Sequence, residues 1–251
     1  MTVLSGHFSS HLKELRRRVL ISFLAILVSS GTIYIFSERI ARFFMVPLFD
    51  AYPDLARLVY TNLTEAFVSY LKVSLLVGVI ISFPVLLYQF WRFVAPGLLK
   101  GERKLALMIV SWGTGLFVAG VAFAYFVVMP KALTFLLSFA GKDLVPLPKL
   151  DAYLTFVVRS SLAFGLAFEI PFLMVGAAKA GLVDKEYFIK QRKYFYIAIL
   201  VLSFLLTVGD VLSTLLLSFP LFGLYEAGIL AVRLFRSPEK DDQAVIPHGS
   251  D

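Results

Sequence analysis

The sequence predicts an all-α polytopic membrane protein, and three observations carry that reading. Of 251 residues, 59% are hydrophobic and only 16% are charged, with a mean hydropathy of +0.83. A soluble domain of this size is roughly a quarter charged. Six stretches approach the ~20 apolar residues that a spanning helix needs: 19–36, 67–87, 105–129, 155–181, 195–209 and 212–231. Lysine and arginine are also unevenly shared between the segments that join them.

The first span follows basic residues and is followed by no small-residue cleavage site, so it reads as retained rather than as a signal peptide. Ahead of it, "SSHLKELRRRVL" (9–20) puts Leu12, Leu15, Val19 and Leu20 on one helical stripe. Its charges take the other faces, with Glu14 in reach of Arg17 or Arg18. Segments 37–66 and 130–154 are long and mix Pro47, Pro53, Pro130, Pro146 and Pro148 with apolar residues. Such segments are expected to be partly helical caps packed on the bundle. Between the second and third spans, "YQFWRFVAPGLLKGERK" (88–104) supplies Tyr88, Phe90, Trp91 and Phe93 for an interfacial belt, and Glu102 faces the next helix N-terminus. The fifth and sixth spans are short and are joined by a turn near Gly209 and Asp210. About 15 residues cover only ~23 Å of a ~30 Å hydrocarbon core, so this hairpin must thin the bilayer or sit sheltered. The polar tail 237–251 is expected to be disordered, leaving one membrane domain over 1–236.

One set of connecting segments, with both termini, carries fifteen lysines and arginines against six on the other set. Both termini are therefore expected in the cytoplasm, with 37–66 and 130–154 on the opposite side. Lys72, Arg159 and Lys179 fall inside spans, close enough to the ends to snorkel. The net charge of +7 thus reads as topology and not as a nucleic-acid surface.

Enzymatic chemistry finds little to stand on. Cysteine is absent, and His7, His11 and His248 all lie near the termini. Thiolate chemistry is excluded, and an intramembrane serine protease lacks its base. "TVGDV" (207–211) brings no second intramembrane aspartate, as a carboxylate-pair protease would need. No phosphate loop or metal-spaced acid cluster occurs, so no cofactor and no metal site are implied. On the residues alone, a proton-coupled small-solute carrier using Glu169, Asp210 and Glu226 stays open beside a binding protein. The two halves show no repeat that would favour the carrier.

The ordered segments "HLxELRxR" (11–18), "FVAPGLLKGERK" (93–104), "FAYFVVMP" (123–130), "FGLAFEIP" (164–171) and "LLTVGDV" (205–211) carry a more specific signal. With them the chain closely resembles the TatC family, receptor subunits of the twin-arginine protein translocase, from about residue 11 to 235. The resemblance implies six transmembrane helices in a concave bundle in the bacterial inner membrane. It implies export of folded proteins driven by the proton-motive force. The partners implied are twin-arginine signal peptides, single-span proteins of the TatA/TatB type, membrane lipid and further copies of the chain.

Position by position, Glu14 and Glu102 match the acids that bind the signal's arginines, and Arg16 and Arg18 match the basic residues beside the first acid. Phe93 matches the aromatic ahead of the loop's Ala-Pro. Pro47 matches the proline of the first external loop, Glu169 the acid buried in the fourth span, and Asp210 the acid after the fifth. Two departures fall on the short hairpin: "VGD" stands where Pro-Asp is common, and Thr214 where some members carry glutamine. The chemistry agrees, because arginine's planar fork grips a carboxylate at two points and lysine does not. Phe93 and Leu99 would hold the signal's hydrophobic stretch. Phe204, Thr207 and Thr214 offer a docking edge to a partner helix, although each hydroxyl could equally bond its own helix backbone.

Glu169 is the most conspicuous residue. It sits near mid-span in "LAFGLAFEIPF" (161–171), where an ionised carboxylate is expensive to bury. Arg159 and Lys179 are each ten residues away, about 15 Å of helix, too far to pair with it. It is expected on the concave side of the bundle, meeting water or a partner's polar group, with Pro171 loosening the helix beside it.

Overall fold

In the computed structural model, residues 2–53, 55, 57–94, 103–138, 147–179, 182–183, 185–206 and 211–234 are described, with side chains from Leu12 onward. The described residues form α1 (Thr2–Tyr34), α2 (Ser37–Ala51), α3 (Glu65–Val94), α4 (Arg103–Phe123), α5 (Met129–Leu137), α6 (Leu150–Lys179), α7 (Lys185–Lys190), α8 (Arg192–Leu206) and α9 (Val211–Leu234). Five stretches are long and apolar enough to cross a membrane: Leu12–Tyr34, Glu65–Phe93, Leu107–Leu137, Leu150–Ala178 and Thr214–Leu234. The chain is an all-helical, multi-pass membrane protein. The expected fifth span, 195–209, corresponds to α8, whose 15 residues cover about 22 Å.

Several helices run beyond the expected spans. The N-terminal basic segment is continuous with the first span in a single 33-residue helix. The third expected span, ending at 129, instead continues through a π-helical turn at Ala124–Val128 into α5 and on to Leu137. Pro130 explains that turn. It has no N–H for the Phe126 carbonyl, and its ring would strike it. The helix widens by one residue, so that the Met129 N–H reaches the Ala124 carbonyl instead.

Helix packing follows the small residues. A Cβ on Gly120 of α4 would lie 2.4 Å from the Phe164 carbonyl oxygen of α6, so these two backbones touch only because Gly120 has no side chain. Phe83 of α3 and Phe117 of α4 stack at 3.7 Å with their planes 9° apart, in the small core between those helices. A second core joins α6, α8 and α9 around Phe164, Leu217, Leu221 and the fully buried Tyr225. By contrast α1 packs along α3 and leaves Leu20, Phe23, Leu24, Leu27 and Val28 exposed, a lipid-facing stripe.

Of the two segments expected to be caps, 37–66 is one, whereas 130–137 continues the third span as α5, 139–146 lies outside the described residues and 150–154 begins α6. Helix α2 buries Ala41, Phe44 and Leu48 in a third core with Val73, Leu76, Met129, Leu133, Tyr153 and Leu154. Val59 and Lys149 form a parallel bridge that ties the two segments together. Glu65 begins α3 by accepting the Thr61 N–H at 2.8 Å and the Asp151 N–H at 3.3 Å. Lys72, placed by sequence near a span end, has partners on the neighbouring helix. It donates to Asp151 at 2.5 Å and Thr155 at 2.9 Å on α6.

Candidate functional site

Pro47 shapes the α2 cap. Lacking an N–H, it cannot serve the Phe43 carbonyl one turn earlier. The Tyr125 hydroxyl, from the π-helical turn, donates to that carbonyl at 2.7 Å, while its ring stacks on Phe43 at 4.7 Å. Tyr153 of α6 donates to the next carbonyl, Phe44, also at 2.7 Å. A proline, a π turn and two tyrosines therefore lock α2 onto the bundle. Sequence reasoning had Pro47 but missed both tyrosines, since their partners lie 82 and 109 residues away.

The basic end centres on Arg18. The residue is only 9% exposed, and its guanidinium bonds Glu14 one turn earlier and reaches the Gln89 carbonyl of α3 at 3.4 Å. Of the two sequence options for Glu14, Arg18 is the partner seen. The contact brings the first acid against the end of α3, where Trp91 and the half-buried Phe93 follow. Arg18 Nε and Trp91 Nε1 are buried donors with no hydrogen-bond partner among the described residues. Arg16 points to solvent on the same helix. Leu99 and Glu102 lie outside the described residues; of this set the structure shows Glu14 and Arg18 in contact, with Phe93 one turn beyond Gln89 on α3.

Glu169 is 6% exposed, and neither carboxylate oxygen has a hydrogen-bond partner among the described residues. A Cβ added to Gly113 of α4 would lie 3.2 Å from Oε2 and 3.7 Å from Oε1, and 2.4 Å from Leu87 Cδ2 of α3. The carboxylate therefore rests on a bare glycine, with a leucine beside it. Within this chain alone it is closed off between helices, not laid open to a groove, because α4 approaches α6 closely at Gly113 and Gly120. The α6 helix runs unbroken through Pro171, so the expected loosening is not seen. Gly113 was invisible to sequence reasoning; a glycine becomes informative only when its neighbour is known.

On the short hairpin, Phe204 is 47% exposed and Thr214 is 7% exposed. Thr207 and Asp210 lie outside the described residues. At the far end of the hairpin, Arg192 and Tyr196 of α8 both donate to Glu226 of α9 at 2.6 Å. Glu226, weighed in sequence as a proton-relay acid, is thus a structural clasp.

Comparison with known proteins decides the family. Residues 10–220 match the family described as Sec-independent protein translocase protein (TatC). The chain belongs to the TatC family. It is 38% identical to the Sec-independent protein translocase protein TatC of Desulforapulum autotrophicum over 97% of this chain and 90% of that protein. It is 37% identical to that of Aquifex aeolicus over 94% of this chain and 98% of the relative. For the Escherichia coli TatC the figures are 35%, 90% and 88%. A crystal structure of the twin-arginine translocase receptor TatC superposes with a TM-score of 0.82 at 37% identity, covering 89% of this chain and 98% of that one. TatC proteins are transport components, so the carrier and enzyme readings fall away together.

Proposed function

We propose that this chain is the receptor subunit of a twin-arginine translocase, recognising paired-arginine signal peptides at its basic end. In this reading Glu14 and Glu102 each accept one signal arginine. Arg16 and Arg18 set the field around them, and Phe93 and Leu99 line the path of the signal's apolar stretch. The observation that carries the proposal is the Arg18 contact, which holds the Glu14 arm of α1 against the end of α3 that leads to Phe93 and Glu102.

The same reading has six spans, with α8 as a shortened fifth, both termini cytoplasmic, and one domain over 1–236. Single-span TatA/TatB-type partners dock along Phe204, Thr207, Asp210 and Thr214, with Pro47 in the cap. Glu169 meets a partner's polar side chain when α4 and α6 part. No turnover by the chain itself is required, and the proton-motive force supplies the energy. Crosslinking tests the proposal: a photoreactive twin-arginine peptide should label 93–102 and the start of α1, and its lysine-lysine counterpart should not. Equal labelling by both peptides would contradict arginine-specific recognition.

A further inference from the structure

A groove of about 490 Å³ runs between the π turn and α5 on one side and the start of α9 on the other. Phe123, Val127, Leu215 and Phe219 line it, and Lys131 is its single polar residue. Lys131 is exposed and pairs with no acid among the described residues.

The depth of the groove sets the rest. Leu212, the second residue of α9, and Phe135, near the end of α5, both line it, so the groove lies toward the same end of the spanning stretches Leu107–Leu137 and Thr214–Leu234. Lys131 is six residues, about 9 Å of helix, from the end of the first stretch, within reach of a headgroup for a long flexible side chain.

We propose that this groove binds an anionic phospholipid, with an acyl chain in the apolar channel and the phosphate on the Lys131 ammonium. Phospholipid fits better than a partner helix. Spanning helices associate through small or hydroxyl-bearing residues that let backbones approach. This lining has no glycine, alanine, serine or threonine; it is leucine, valine, phenylalanine, proline and one lysine.

The test uses the full chain in phosphatidylcholine vesicles containing a photoactivatable lipid with a mid-chain diazirine, as either phosphatidylglycerol or phosphatidylcholine. Phosphatidylglycerol should label Val127, Leu215 and Phe219 several-fold more than the α1 lipid face at Leu27 and Val28. Lys131→Gln should cut the phosphatidylglycerol preference about fivefold, the worth of one cation near a headgroup, and leave phosphatidylcholine labelling unchanged. Leu216→Trp, which fills the groove, should reduce labelling by both lipids. Equal labelling by the two lipids in the unaltered chain would overturn the proposal, as would signal spread evenly over all lipid-facing helices. Loss of labelling when a single-span partner is added would reassign the groove to that partner.

Discussion

The tie between Tyr125 and the cap can be measured, because Pro47 creates the need that Tyr125 meets. Tyr125→Phe keeps the ring stacked on Phe43 at 4.7 Å but removes the 2.7 Å hydroxyl bond, leaving the Phe43 carbonyl without this donor. A part-buried acceptor deprived of its partner costs about 1 kcal/mol, toward the upper part of what double-mutant cycles give for hydrogen bonds between helices in membranes. Pro47→Ala restores a backbone N–H that can reach the same carbonyl. In that background Tyr125→Phe should cost less than about 0.5 kcal/mol, a coupling of at least about 0.5 kcal/mol in the double-mutant cycle. The assay is the unfolding midpoint of purified protein titrated with SDS and followed by helical circular dichroism. If Tyr125→Phe lowers stability equally in the unaltered chain and in the Pro47→Ala background, the carbonyl is not what links them, and the reasoning fails.

Glu169→Gln should keep the fold and most of the transport, since an amide fits the same slot over Gly113, whereas Glu169→Ala should impair export more than signal binding; full export by a normally abundant Glu169→Ala protein would contradict a functional carboxylate. Gly113→Val should mimic the export defect, because its side chain would strike Leu87 and crowd the carboxylate; the expected stability cost is about 1–3 kcal/mol, measured by the same titration. Reporter fusions at Asp143 and Ser237 should give opposite-side signals, and same-side signals would overturn the proposed topology.

What could be read from the sequence was what depends on local pattern. Apolar runs and charge asymmetry announced the spans, and Glu169 stood out because a carboxylate amid Leu, Ala and Phe has no local excuse. Helix ends were harder, since α1 and α5 extend where neighbours or lipid support further turns, as the π turn before Pro130 illustrates. Long-range pairings were out of reach: Lys72 with Asp151, Tyr125 with Phe43 and the Gly113 slot depend on which helices meet. The clasp of Arg192 and Tyr196 on Glu226 shows the converse error, in which an intramembrane acid looked functional until its partners were seen.

The central claim is that Glu14 and Glu102 receive the signal's two arginines, and binding of a twin-arginine signal peptide to charge-reversed protein tests it most directly. Glu14→Ala or Glu102→Ala should each weaken binding by about 1.5–3 kcal/mol, the worth of a charge-assisted hydrogen bond. The Glu14→Lys, Glu102→Lys double variant should lose detectable binding and regain part of it toward a peptide whose two arginines are replaced by glutamates. Unchanged affinity of that double variant for the twin-arginine peptide would remove both acids from the site.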